Sequence, residues 1–171
     1  MLRAEEKQPA NQNAGDSVRM YRLQEVEVTT TRATPTTPVA YSDIRREEIA
    51  RNSYGTDIPT LLALTPSMIA TNETGIGIGG TSIRLRGTDA TRLNVTINGV
   101  AMNNPDSHSM YWYDTPDLIS AVGTMQVQRG AGLSTNGTGA FGGAVNMSTA
   151  PLETEFGGDV SLSYGSYNTN K

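Results

Sequence analysis

Apolar and polar positions change their spacing several times along the chain. Met1 to Arg22 carries almost no periodic apolar pattern and reads as a mobile leader. In L-Q-E-V-E-V-T-T-T, Leu23, Val26 and Val28 then stand in a β-prone context. Thr29 to Thr37, with Pro35 and Pro38, follows as an extended linker, so the segment reads as an unpaired strand on a tether, or as an edge strand of the domain. Val39 to Ile44 predicts a short strand, and R-R-E-E-I-A-R one or two helical turns. A second helix is marked by Ile58, Leu61 and Leu62 at i, i+3 and i+4, with Thr56 as N-cap, Asp57 in the first turn and Pro66 as the stop.

Beyond Pro66 the period shortens to two. Met68 to Thr71, Ser82 to Arg86, Arg92 to Ile97, Thr124 to Arg129 and Ala144 to Thr149 each read as strands bounded by Gly or Asn. Asn98-Gly99, between N-V-T-I and V-A-M, predicts a tight reversal. Pro116 to Val122 reads as a helical turn with Leu118, Ile119 and Val122 as its apolar face. Near the end, Val160, Leu162 and Tyr164 alternate with Ser161 and Ser163. That is how a transmembrane barrel strand reads, and equally an ordinary sandwich strand, since one strand alone cannot satisfy its backbone in lipid. The predicted fold is α+β: a small mixed β-sheet with short helices and long Gly-rich loops. The predicted divisions are residues 1–22 as leader, 23–38 as strand and linker, 39–150 as the domain, and 151–171 as a linker with that last strand.

Composition narrows the function. Only 36% of the residues are apolar, so the core is small. A formal charge of −4 gives no basic footprint for nucleic acid. Without cysteine there are no disulfides, thiolate metal sites or cysteine nucleophiles. With His108 as the sole histidine, His-rich metal spacings cannot be drawn, and any Ser-His-Asp triad must use that ring. No apolar run reaches the roughly 20 residues of a transmembrane helix.

Four segments carry candidate chemistry. Gly75, Gly77 and Gly80 match G-x-G-x-x-G, but a strand pattern follows where a dinucleotide fold needs a helix, so a flexible loop is the better reading. N-N-P-D-S-H-S-M-Y-W-Y, Asn103 to Tyr113, gathers the only His, the only Trp and two Tyr. Alternation puts Tyr111 and Tyr113 on one side and Trp112 on the other, which leaves core packing and ligand stacking both open. Metal binding by Asp106 and His108 is the weaker option, and no metal or cofactor is expected. Arg86 and Arg129 each end a strand before Gly, where a guanidinium either meets a carboxylate or stays solvated. Finally, G-A-G-L-S-T-N-G-T-G-A-F-G-G-A holds six glycines in fifteen residues, which implies close backbone approaches or positive-φ turns.

Taken in order, these segments resemble the plug domain of TonB-dependent outer-membrane receptors. I-R-L-R-G-T-D-A-T-R-L-N-V-T-I-N-G-V-A-M-N-N resembles the family's I-R-G motif, apolar strand and D/N-G-V. V-Q-R-G-A-G-L-S-T-N-G-T-G-A-F-G-G-A-V-N-M-S-T resembles its R-G-P…Y-G…A-I-G-G-V-I-N-I motif, departing at Ala131, where Pro is usual, and at Asn136, where Tyr is frequent. The likeness spans about Leu23 to Ser166. It implies a plug inside a barrel of about 22 strands, of which the chain encodes only the first. It implies an outer-membrane location in a Gram-negative bacterium with a periplasmic N-terminus. Glu25, Val26, Glu27, Val28, Thr29 and Thr30 are similar to the TonB box, which pairs by strand addition with TonB, the partner energised by inner-membrane motor proteins. Arg86 and Arg129 match plug arginines that face barrel carboxylates. Asn103, Asn104, Asp106, His108, Tyr111, Trp112 and Tyr113 are the candidate contacts for a small transported ligand, which is left open among siderophore, haem, cobalamin and glycan. The expected function is thus a transport gate rather than an enzyme. A soluble recognition module for a glycan or metal chelate is the alternative, and an enzyme built on Asp106 and His108 lacks a second base.

Overall fold

The computed structural model describes residues 31–131, 134–137 and 139–151, with residues 156–158, 160, 162 and 164–166 beyond them. The leader and the segment Glu25–Thr30 lie outside the described residues, as does most of the last expected strand.

Among the described residues seven strands form two sheets. The larger has five strands in the order β1-β6-β7-β4-β5: β1 (Ala40–Ile44), β4 (Leu93–Ile97), β5 (Val100–Ala101), β6 (Val122–Arg129) and β7 (Gly143–Thr149). All its pairings are antiparallel except β4 with β7, so the sheet is mixed, as expected. The smaller is the hairpin of β2 (Met68–Asn72) and β3 (Thr81–Leu85). Three short helices, α1 (Arg46–Asn52), α2 (Ile58–Leu62) and α3 (Leu118–Ala121), complete the α+β fold.

The expected punctuation holds, with local shifts. Asn98 and Gly99 both take positive φ, 50° and 81°, the type I′ geometry that matches strand twist and joins β4 to β5. Asp57, not Thr56, is the N-cap of α2, and its side chain does not cap the helix. Its carboxylate instead accepts from Gly79 N–H at 2.9 Å and Thr81 Oγ1 at 3.1 Å, which ties the glycine loop of the β2–β3 hairpin to the start of α2. That loop therefore closes a hairpin and leads into a strand. β6 begins at Val122, two residues before its alternating pattern, because a register irregularity between Val122 and Thr124 absorbs Gly123. β3 ends at Leu85, so Arg86 lies just past it, in the left-handed region at φ 50°.

Period-two alternation gives the large sheet two chemically opposite faces. Leu93 and Val95 of β4, Met125 and Val127 of β6 and Val145 and Met147 of β7 face the core, where Ile44, Ile49, Leu61, Leu62, Ile83, Leu85 and Ile119 join them. Asn94 and Thr96, Gln126 and Gln128, and Asn146 occupy the intervening positions, yet they too are buried. A sheet buried on both faces with amides on one of them accounts for the modest apolar content. The chain expected to be a free tether provides part of the cover: Thr31 and Ala33 are 8% and 5% exposed.

Candidate functional site

The loop after β5 is organised by two asparagines. The Asn103 side chain extends the β4–β5 pairing where backbone pairing ends: its Oδ1 accepts from Val95 N–H at 2.8 Å, and its Nδ2 donates to Leu93 O and His108 O, both at 2.8 Å. Both ends of that amide are engaged, so Asn103 shapes the loop. Asn104 Oδ1 accepts from the backbone N–H groups of Asp106 and Ser107 at 2.8 and 3.1 Å, which folds the next residues into a tight Asx turn. Asp106 and His108 are thereby displayed on the surface, His108 with φ 57°. Among the described residues no group of three His, Asp or Glu side chains is placed to hold a metal ion.

The aromatic run divides as alternation suggested, although Trp112–Asp114 is a 3-10 turn rather than a strand. Trp112 is 2% exposed and belongs to the core with Met110 and Ile119, so its candidacy as a ligand contact is corrected: the ring has no free face to offer. The half-buried Tyr111 and the 55% exposed Tyr113 place their rings 5.4 Å apart at a tilt of 34°, a paired aromatic surface beside the Asx turn. Asn104, Asp106, His108, Tyr111 and Tyr113 are therefore brought to one exposed loop, while Asn103 and Trp112 hold it in place.

A cleft of about 280 Å³ separates this loop from the glycine-rich loop after β6. Asn103, Asn104 and His108 line one wall, Asn136 and Gly137 the other, and Asn94 and Thr96 of β4 the floor. Asn136 is fully buried. Its Nδ2 donates to Gln128 Oε1 at 2.7 Å, its carbonyl accepts from Asn94 Nδ2, and its own Oδ1 has no hydrogen-bond partner among the described residues. The floor and the far wall escape a reading of the sequence, in which Asn94, Thr96 and Asn136 look like ordinary solvated positions. Their signal is the coincidence of amides at alternate positions on three strands.

Arg86 and Arg129, 43 residues apart in sequence, come together at the ends of β3 and β6. Arg86 Nη1 donates to Arg129 O at 3.3 Å. Arg129 Nε donates to Pro66 O at 3.1 Å, and its Nη2 to Ser42 Oγ. Among the described residues neither guanidinium is paired with a carboxylate. Asp89 has its pKa lowered. It is held below 3.8 chiefly by the Thr91 hydroxyl that donates to it, with the Thr91 N–H and the charges of Arg92 and Arg84 acting in the same sense.

A mixed five-stranded sheet, a small hairpin and short helices thus surround the exposed loop and its cleft. The model of the TonB-dependent Receptor Plug Domain matches residues 33–144, and the chain belongs to that family. Three solved structures share the fold. The FpvAI–pyocin S2 complex superposes with a TM-score of 0.58 at 17% identity, covering 77% of this chain and 16% of that one. The ferric enterobactin receptor PfeA in complex with BCV-L6 gives 0.51 at 23% identity, over 67% of this chain and 18% of that one. The siderophore receptor PirA from Acinetobacter baumannii gives 0.50 at 21% identity, over 67% and 18%. The chain thus spans less than a fifth of the length of these receptors. No curated protein sequence matches the chain. No described helix is long and apolar enough to cross a membrane.

Proposed function

We propose that this plug is the gate of a TonB-dependent transporter in the outer membrane of a Gram-negative bacterium, seated in the lumen of a β-barrel carried by the same protein. The observation that carries the reading is the plug match over residues 33–144. In this reading no bond is made or broken: a small ligand docks on the outer loops, and TonB, driven by inner-membrane motor proteins, takes hold of Glu25–Thr30 by strand addition and pulls. The exposed loop, through Asn104, Asp106, His108, Tyr111 and Tyr113, is the ligand face. Arg86 and Arg129 support a lock against the barrel wall, because two guanidinium groups that among the described residues meet only neutral oxygens call for carboxylates from a neighbour.

The test is Val28→Pro in the full-length protein. Proline removes the N–H that strand addition requires, so binding to the periplasmic domain of TonB and uptake should both be lost, while ligand binding at the cell surface is retained. Uptake that proceeds undiminished in cells lacking TonB would overturn the gate reading.

A further inference from the structure

The two ends of the large sheet carry different chemistry. The exposed loop sits at one of them: Asn103 Nδ2 donates to Leu93 O, Leu93 lies opposite Gly143 at the start of β7, and Gly143 opposite Arg129 at the end of β6. A second cavity, of about 360 Å³, lies towards the other end, where β6 begins and β1 stops. From Arg129 back to Thr124 the strand runs about 17 Å at ~3.4 Å per residue, so the cavity faces away from the loop. Arg32 and Thr34 line it from the segment before β1, Asp43 and Arg45 from the end of β1 and the residue beyond, and Thr124 and Gln126 from β6.

Charge in this cavity is unbalanced. Two guanidinium groups stand against one carboxylate, and that carboxylate is already engaged, since Asp43 Oδ1 accepts from Gln126 Nε2 at 2.8 Å. Arg32 Nη2 donates to Thr124 Oγ1 at 2.6 Å, Ser148 Oγ at 3.0 Å and Thr124 O at 3.3 Å, all uncharged oxygens. Arg45 is exposed at the N-cap of α1, and its side chain does not cap the helix. A guanidinium met by neutral oxygens keeps its full charge, and its planar fork suits a carboxylate.

Position narrows the source of that carboxylate. β1 is an edge of the sheet and pairs with β6 alone among the described strands, so the cavity lies beside an unpartnered strand. Thr30 is two residues before Arg32, at most about 7 Å along an extended chain. A domain that adds a strand to Glu25–Thr30 is therefore brought within side-chain reach of the cavity.

We infer that this cavity receives an acidic side chain of the protein that pairs with Glu25–Thr30, a second contact beside the added strand, with Arg32 and Arg45 as its anchors. The inference rests on the reading of Glu25–Thr30 as the partner-binding segment.

The test is titration of the full-length receptor with the periplasmic domain of TonB. Arg45→Glu alters an exposed side chain, and retained ligand binding at the cell surface checks that the variant is folded. It should weaken TonB binding about tenfold at low salt, and the difference from the parent should shrink as salt is raised. Asp43→Asn removes the competing carboxylate and should tighten binding. An unchanged affinity in Arg45→Glu overturns the second contact. Tighter binding in Arg45→Glu with weaker binding in Asp43→Asn means a basic occupant and overturns the assignment to an acid. Val28→Pro separates the two readings: if it leaves TonB binding intact, Glu25–Thr30 is not the partner segment, whereas if it abolishes binding while Arg45→Glu changes nothing, only the cavity is excluded.

Discussion

Trp112 provides the sharpest test of how the aromatic loop is built. The side chain is 2% exposed and belongs to the core cluster, and a buried Trp removes about 150–250 Å² from water. At about 25 cal/mol per Å² that burial stabilises the fold by about 4–6 kcal/mol, an upper figure because the unfolded chain already hides some of the area. Measured truncations of buried aromatic residues to Ala fall at about 3–5 kcal/mol, so about 4 kcal/mol is expected for Trp112→Ala. For a folded unit of this size each kcal/mol shifts Tm by about 4 °C, which puts the variant about 15 °C below the parent. Tyr113→Ala is the matched control: its ring is 55% exposed, and its loss should move Tm by only a degree or two. The assay is thermal melting of both variants by near-ultraviolet circular dichroism, beside ligand binding to the full-length protein. Trp112→Phe should recover most of the loss, because it restores much of the buried volume. A Trp112→Ala variant that melts within about 3 °C of the parent would refute the assignment of this ring to the core. If that variant also bound ligand poorly, Trp112 would return to the ligand surface.

Other perturbations test separate parts of the fold. Gly143→Ala places a methyl group against Gln128 O and Leu85 Cδ2 at φ 154°, and should cost about 3 kcal/mol or more in urea unfolding. Asp57→Ala removes the acceptor of Gly79 N–H and Thr81 Oγ1; a loss of about 2 kcal/mol and faster hydrogen exchange at Gly79 are expected, and unchanged exchange there would dismiss the tie. Asp89 should titrate below 3.8 in an NMR pH series. Because its folded pKa is lowered, its contribution is present above the unfolded value and is lost as pH falls through the folded one, and Asp89→Asn should erase that acid-range slope.

The secondary structure was legible because it is written in local spacing. Period two marked β2, β3, β4, β6 and β7 to within a residue or two, and Asn98-Gly99 fixed its reversal because few other residue pairs take two positive φ angles cheaply. The order of two glycine-bearing motifs around these strands pointed to the plug family before any coordinate. What covers each face was not written locally. Alternation says that Gln126 and Gln128 face away from Met125 and Val127, but not that a segment more than ninety residues earlier will lie across them. The Thr/Pro stretch therefore reads as a tether in sequence, while Thr31 to Ala33 lie against the amides of the sheet. Asn103 read as a ligand contact although its amide completes a strand edge. Trp112 and Tyr113, neighbours of nearly equal promise in sequence, were separated only when the 3-10 turn drove one ring into the core and left the other in water. Local preferences decide φ and ψ; the partner of a side chain is decided by which distant backbone arrives beside it, and only the folded chain brings the two together.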